Sequence, residues 1–442
     1  MNLYAEIKIE NTQALLEVAV EAAKDFSYFS ILNNNDLNYG NDDGQFDFLM
    51  AFGAADILNI KKGNGNSFEE LRRFHYKNDE IIFGHLSYDL KNELEKLSSK
   101  GIDGVRFPLM TFFVPRVMLM IKSGLMKVYI SEREGNTAKD VADKFLFELK
   151  KRYTGKERVS VGGTGGRLQV KQRMSKEEYF EKFEKIKEHI RHGDIYEMNF
   201  CMESYAEEVE LNPFEFYLKY NKVSPAPFSA FYRVGEHFLI SGSPERYLKK
   251  TGRRIISQPI KGTAPRHPDA ERDAASKENL KNSLKERAEN VMIVDLVRND
   301  LSRTAKSDSV KVEELCGIYS FRQVHQMIST VSSLLDEKYD FVDVLKTTFP
   351  MGSMTGAPKI RAMELIEEYE DTRRGLYSGA VGYIDSKGDF DFNVVIRSVL
   401  YNAGNKYLSF ITGGAVTSRS LAADEYNECL LKAKGIFEAI GS

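Results

Sequence analysis

The chain has 442 residues, 42% of them apolar and 29% charged, with a formal net charge of −3. That balance excludes a disordered chain and leaves no excess of positive charge for nucleic acid to act on. The length suits two or three domains, or one large enzyme with a continuous core.

Residues 1–10 alternate apolar and charged side chains and have neither the apolar stretch of a signal peptide nor an arginine-rich transit pattern, so a cytoplasmic location is expected. The longest apolar runs, such as 117–121, fall far short of the roughly 20 residues needed to cross a bilayer, and no membrane association is expected. Cys201, Cys316 and Cys429 are too few and too scattered for a disulfide framework or a cysteine zinc site. A reducing compartment fits best.

An N-terminal region, 1–153, is followed by a linker, 154–170, where Gly155, Gly162, Gly163, Gly165 and Gly166 cluster among small polar residues. The remaining region, 171–442, carries the chemical motifs, and one interlocked core with two lobes is expected. Ser175 and Glu178 form a capping-box pattern, and Phe180, Phe183, Ile186 and Ile190 keep helical spacing until Gly193 can end the helix. Residues 228–234 and 237–241, separated by Gly235-Glu236, read as a hairpin. Strands at 255–260, 379–384, 390–399 and 407–412 alternate irregularly with helices at 283–301, 359–369 and 423–440, which favours an α+β fold with antiparallel sheets over a doubly wound one. Neither GxGxxG nor a Walker A sequence occurs, so no dinucleotide or P-loop site is indicated.

Lys261, in Pro259-Ile260-Lys261-Gly262-Thr263, precedes a glycine that lets backbone approach a ligand. An amine excluded from water loses its proton and becomes nucleophilic, so a neutral Lys261 facing a pocket could do covalent chemistry. Glu289 shares a helix face with Met292, Ile293 and Leu296, where a carboxylate must be paired or metal-bound. On the last helix Glu425, Glu428 and Lys432 project from one side, either as a solvated Glu-Lys pair or as part of a site, opposite Tyr426, Leu430, Ala433 and Phe437. Carboxylates without histidine or cysteine partners suit Mg²⁺ bridging to an anionic substrate. Glu245, in Ser243-Pro244-Glu245, could hold its proton in an apolar pocket and act as a general acid, although the same tripeptide also reads as a helix start. Candidates for gripping anions are the 352–359 segment, Gly382-Tyr383, Arg397 in an otherwise apolar strand, and Gly413-Gly414.

Taken in order, SPE at 243–245, PIKGTAPR at 259–266, RAENVMIVDLVRNDLSR at 287–303, TFPMGSMTGAPKIRAMELIEEYE at 348–370, YSGAVGYID at 377–385, IRS at 396–398 and EYNECLLKA at 425–433 resemble the chorismate-binding enzymes. The resemblance is strong over 175–440 and weaker in the N-terminal third, through 84–90, Glu93 and Pro108. It implies two antiparallel β-sheets packed against each other with flanking helices. It also implies chorismate as substrate, Mg²⁺ held by Glu289 and Glu428 with Glu425 close by, and Glu245 as general acid/base. Gly262 and Thr263 would seat the ring carboxylate. Tyr383, Arg397 and Gly413-Gly414-Ala415 would grip the enolpyruvyl carboxylate, with Lys432 adding positive charge.

Within that family, lysine in PIKGT resembles the aminodeoxychorismate-forming branch of para-aminobenzoate and folate synthesis, whereas anthranilate-forming members carry alanine there. The branch implies that Lys261 attacks C2 of chorismate with loss of the C4 hydroxyl, and that ammonia then adds at C4. No cysteine lies in a GxCxG nucleophile turn, so ammonia is expected from a separate glutamine amidotransferase subunit. Anthranilate synthesis and a non-catalytic paralogue that binds chorismate or a partner are the alternatives. The resemblance further implies a tryptophan pocket at Pro227, Phe228 and Ser229. Three departures stand out: Glu197 where aminating members carry glutamine and water-using members lysine, Gln326 in place of a histidine, and Arg419 to Ala423 in place of an acidic stretch.

Overall fold

A computed structural model describes residues 1–9, 12–37, 46–133, 135–154, 168–321 and 324–441. The glycine cluster of the expected linker, 155–167, lies outside the described residues. Among the described residues every pairing between named strands is antiparallel, and hydrogen bonding runs continuously through twenty strands. The two expected sheets are thus joined by ladders into one folded sheet.

Alternation along the long strands decides what each face meets. In Phe48–Ile60, Leu49 and Ala51 enter one apolar cluster while Phe48, Met50 and Phe52 enter another, because successive side chains of a strand point to opposite faces. The first cluster, with Phe112, Tyr232, Leu248, Val381 and Phe392, lies inside the folded sheet. The second is closed by the helices Thr12–Ala23, Gly135–Thr154, Pro213–Val223 and Ala422–Ile440. A third lies between Lys176–His192, Lys359–Tyr369 and the strand Glu197–Ala206.

The N-terminal third is woven into the rest. Tyr28–Asn33 pairs with Phe228–Val234, and Ile82–Leu86 pairs with Ala380–Ile384. Among the described residues no helix is long and apolar enough to cross a membrane.

Local signals behave as their chemistry dictates. Ser175 and Glu178 make both bonds of the capping box, and Gly193 ends that helix in the left-handed conformation at φ 84°. Phe228–Val234 and His237–Ser243 form the hairpin, with His237 opposite Val234. Two expectations differ. The strand expected over 390–399 breaks into Phe390–Asn393 and Ser398–Asn402, because Arg397 takes a left-handed backbone at φ 50°. Ser243-Pro244-Glu245 starts no helix but joins two strands, His237–Ser243 and Arg246–Thr251.

Candidate active site

Strands, turns and helices distant in sequence bring the chemical motifs together. Lys261 lies in the strand Ile260–Pro265, where the register shifts between Ile260 and Thr263 and so frees the lysine from regular pairing. Its ammonium is 2.6 Å from Glu197 Oε1. Glu197 opens the strand Glu197–Ala206, opposite Thr417 and Ala357. The two side chains are 10% and 1% exposed, and the second oxygen of Glu197 is buried without a hydrogen-bond partner.

The condition of a neutral lysine is not met in this contact. Burial alone would lower the Lys261 pKa, but Glu197, Glu289 and Glu245 together raise it above its ordinary value. In the resting site Lys261 is an ammonium.

Glu245 is buried in the turn after Ser243, whose hydroxyl accepts from the Glu245 amide at 3.2 Å. Burial pushes its carboxyl up to about 7, against the opposing pull of a hydrogen bond from Ser353 and the charge of Lys261. A recess lined by Ser257, Pro259, Asp300, Met351 and Ser353 backs it. Ser353 sits in the 3-10 turn Gly352–Met354, so the 352–359 segment contributes to this site through Ser353, while Lys359 is engaged with Asp300 at 2.6 Å.

On the helix Leu284–Ser302, capped by Ser283, Glu289 is buried and its Oε1 has no hydrogen-bond partner. Burial pushes its carboxyl up to about 7, with Glu197 and Glu286 adding repulsion. Glu286, one turn earlier, is raised by burial and by Glu428 and Glu425. Across from them, Glu425 and Glu428 come from Ala422–Ile440. Burial would raise Glu428 too, but Lys432, 2.7 Å away, with Lys285 and Lys261 holds it below the usual range. On that helix Cys429, not Leu430, faces the interior.

Lys285 Nζ lies 3.1 Å from Glu425 and 4.0 Å from Glu289, supplying the positive charge among these acids. As the side chains stand, no three His, Cys, Asp or Glu among the described residues are close enough to share an ion. The donor set nevertheless fits a hard divalent cation: all the donors are carboxylates, and one buried oxygen of Glu289 lacks a hydrogen-bond partner.

Backbone geometry allows this approach at two glycines. Gly262 has φ 92°, and a Cβ there would lie 3.0 Å from Glu286 Oε2. A Cβ on Gly414 would lie 2.5 Å from Glu425 Oε2. Gly413, Gly414 and Ala415 run opposite Cys201, Phe200 and Asn199. Lys432 donates to the Gly413 carbonyl at 2.7 Å, so its charge is committed to that strand and to Glu428. Thr263 is exposed, beside buried Gln326, whose Oε1 has no hydrogen-bond partner. His325 faces the other way, toward Ser320 and Asp273. Arg419 is exposed.

Arg397 is half-buried, and among the described residues its guanidinium makes no ion pair. Burial lowers its pKa, with Tyr220, Glu428 and Tyr377 opposing. Tyr383, expected beside it, is elsewhere: its ring packs 5.8 Å from Phe46 and 6.0 Å from Phe83. Of the two tyrosines in the YSGAVGYID motif, the one near Arg397 is Tyr377, which precedes the strand Ala380–Ile384, whereas Tyr383 lies within it, opposite Asp391. At the expected tryptophan pocket, the Arg246 guanidinium lies 4.9 Å from the Phe228 ring centroid, Ser229 donates to Asn221 at 2.7 Å, and Asn35 donates to the Ala226 carbonyl at 2.8 Å next to Pro227.

Sequence reasoning missed Glu286, Lys285 and Tyr377, and gave Ser353 only as part of the 352–359 segment. Glu286 and Lys285 were readable from their three- and four-residue spacing to Glu289. The place of Tyr377 depends on contacts across the fold.

A family model described as chorismate binding enzyme matches residues 38–438. Aminodeoxychorismate synthase component 1 of Bacillus subtilis is 31% identical, over 88% of this chain and 86% of that protein. The corresponding protein of Klebsiella aerogenes is 40% identical over 61% of this chain, a match that spans 59% of that relative's length. Anthranilate synthase component 1 of Thermus thermophilus is 33% identical over 81% of this chain and 77% of its own length. Among solved structures, anthranilate synthase component I of Streptococcus pneumoniae superposes with a TM-score of 0.77 at 26% identity, covering 91% of this chain and 94% of that one. The menaquinone-specific isochorismate synthase of Escherichia coli, 16% identical, shares the fold with a TM-score of 0.75, over 99% of this chain and 95% of that one.

Proposed function

The chain belongs to the chorismate binding enzymes, and from that membership we propose that it is an aminodeoxychorismate synthase component I, joining ammonia to chorismate at C4. The observation that carries this reading is the placement of Lys261 between Glu197, Glu245 and Glu289, with its nitrogen inside the site. Its amine forms a bond to C2 as the C4–O bond breaks, and Glu245, which holds a proton near neutral pH, delivers it so that the oxygen leaves as water. Ammonia then bonds to C4 and the C2–lysine bond breaks, giving 4-amino-4-deoxychorismate.

The Gly262 and Thr263 backbone seats the ring carboxylate, while Arg397, with Tyr377 beside it and the 413–415 strand, grips the enolpyruvyl carboxylate. Glu289, Glu428 and Glu425, joined by Glu286, would hold Mg²⁺, which supplies positive charge against the ring carboxylate when bound. The partner in this reading is a glutamine amidotransferase subunit that delivers ammonia, in keeping with relatives named as component 1. The setting is the cytoplasmic synthesis of para-aminobenzoate for folate. An indole-sized ligand at Pro227, Phe228 and Ser229 belongs to the same proposal.

Anthranilate synthesis is the second reading, favoured by the Thermus thermophilus relative and opposed by Lys261. Purified protein incubated with chorismate, Mg²⁺ and ammonium at high pH decides between them. A product converted to para-aminobenzoate by added lyase supports the first reading. Anthranilate formed without lyase overturns it, and no turnover even with an amidotransferase points to a binding paralogue. The Lys261→Ala variant should lose the covalent adduct, and an undiminished adduct refutes the nucleophilic role.

A further inference from the structure

Glu197 is not explained by packing. A carboxylate 1% exposed is costly unless its oxygens are satisfied, yet one oxygen meets only Lys261, at 2.6 Å, and the other is buried without a partner. The strand Glu197–Ala206 holds it in place through its pairing with Thr417 on one side and Ala357 on the other. Glu197 is therefore a buried acid aimed at the nitrogen that is to react. That nitrogen is a nucleophile only after it gives up a proton, and the nearest acceptor is Glu197.

Resting on the covalent reading above, we propose that Glu197 is the proton partner of the nucleophile: it holds Lys261 as an ammonium in the resting site, accepts one proton when chorismate arrives, and returns it when the lysine is expelled. The proton count closes. The Lys261 ammonium passes one proton to Glu197, and the freed lone pair forms the N–C2 bond while the C4–O bond breaks and the oxygen leaves as water with the Glu245 proton. The adduct is a secondary ammonium. When ammonia forms the N–C4 bond, the N–C2 electron pair returns to Lys261, the neutral amine takes its proton back from Glu197, and the ammonium formed at C4 gives one proton back to Glu245.

The other charged groups facing the pair do not replace Glu197. Glu245, from the turn between two strands, is assigned to the leaving oxygen. Glu289 and Glu286, from Leu284–Ser302, and Glu428, from Ala422–Ile440, belong to the cation cluster, and Lys285 and Lys432 are paired with acids there. A glutamine at 197 could hold the lysine by a hydrogen bond but could not accept its proton.

The test uses the full chain at saturating Mg²⁺, comparing wild type with Glu197→Gln and Glu197→Asp, each first shown to melt cooperatively like wild type. Mass spectrometry follows the Lys261 adduct after chorismate is mixed without ammonia, from pH 7 to 9. The wild-type to Glu197→Gln rate ratio is expected to be at least about tenfold at pH 7 and to shrink about tenfold per pH unit, because the variant must lose its proton to solvent; the ratio cancels the shared dependence on Glu245. Glu197→Asp should recover part of the rate. In the resting enzyme, acetylation of Lys261 by limiting acetic anhydride at pH 8 should rise at least about tenfold in Glu197→Gln. A Glu197→Gln adduct rate equal to or above that of wild type at pH 7, a ratio that does not shrink as pH rises, or unchanged acetylation overturns the proton exchange alone. A wild type that forms no adduct at any pH overturns the covalent reading, and the exchange with it.

Discussion

Lys285 and Glu289 stand one helical turn apart on the same side of Leu284–Ser302, with the ammonium 4.0 Å from Glu289 and 3.1 Å from Glu425 on the facing helix. Lys285 is 36% exposed, so it can leave the acids for water at little cost. It therefore competes with any divalent cation for the same carboxylates. Lys285→Ala should bind Mg²⁺ several-fold more tightly in a calorimetric titration, and its melting temperature should rise more on adding Mg²⁺ than that of wild type, since a ligand stabilises only the state it binds. Equal Mg²⁺ affinities would remove Lys285 from this role.

Glu245 and Glu289 both have carboxyls pushed up to about 7 by burial, against an unfolded value near 4.5. A raised carboxyl binds more protons folded than unfolded between those values, so its contribution to stability falls as pH rises through 4.5 to 7 and stays low above. Glu245→Gln keeps the shape without the charge. At pH 8 without metal it should be more stable to urea than wild type by on the order of 1–3 kcal/mol, and the difference should vanish below pH 5. Turnover of chorismate should fall by about 10²–10⁴-fold in the same variant, since the leaving oxygen loses its proton donor. A stability difference that persists at pH 4.5 would mean the gain has another source.

Much of the fold and part of the site were legible along the chain, for physical reasons that differ by residue. The capping box at Ser175 and Glu178 and the hairpin turn at Gly235-Glu236 are local, so sequence alone reports them. Glu289 was legible because an acid on an apolar helix face needs a reason, whereas Glu425 and Glu428, on the side opposite the apolar residues, stood out only through the family resemblance. The charge state of Lys261 was not, because it depends on a strand more than sixty residues away. Tyr377 and Tyr383 stand six apart in one motif, and only the start of the strand at Ala380 decides which of them is near Arg397. Arg397 itself was expected within a strand, yet it sits in a left-handed break that no residue type there announces.

The break at Arg397 is held by two hydrogen bonds to its carbonyl, one from the Tyr220 hydroxyl at 2.8 Å and one from the Gly242 amide at 3.0 Å, while its guanidinium makes no ion pair among the described residues. A half-buried cation without an ion pair among the described residues suits an anionic ligand. Arg397→Lys keeps the charge but loses the planar fork, and Arg397→Ala loses both. The expected result is a rise in KM for chorismate of about 10–100-fold in Arg397→Ala, with a smaller rise in Arg397→Lys and a lesser change in kcat. Unchanged KM in both variants would place the substrate carboxylate elsewhere.

Beneath the site, Arg374 is fully enclosed and ties three elements together. It donates to Glu370 at 2.6 Å and 2.8 Å, to the Met354 carbonyl at 2.6 Å and to the Asn199 carbonyl at 2.9 Å. Met354 closes the turn that carries Ser353, and Asn199 is two residues from Glu197, so one guanidinium sets the height of both above the core. Removing one member of a buried pair leaves an uncompensated charge, whereas replacing both with apolar groups does not. Arg374→Met should therefore lose about 3–5 kcal/mol of stability in a urea titration, and Arg374→Met with Glu370→Leu should lose less than the single variant. Under conditions where Arg374→Met remains folded, kcat should fall more than KM rises, because the guanidinium orients Ser353 and Glu197 without touching substrate. A double variant as unstable as the sum of the singles would show that Arg374 and Glu370 do not act as a unit.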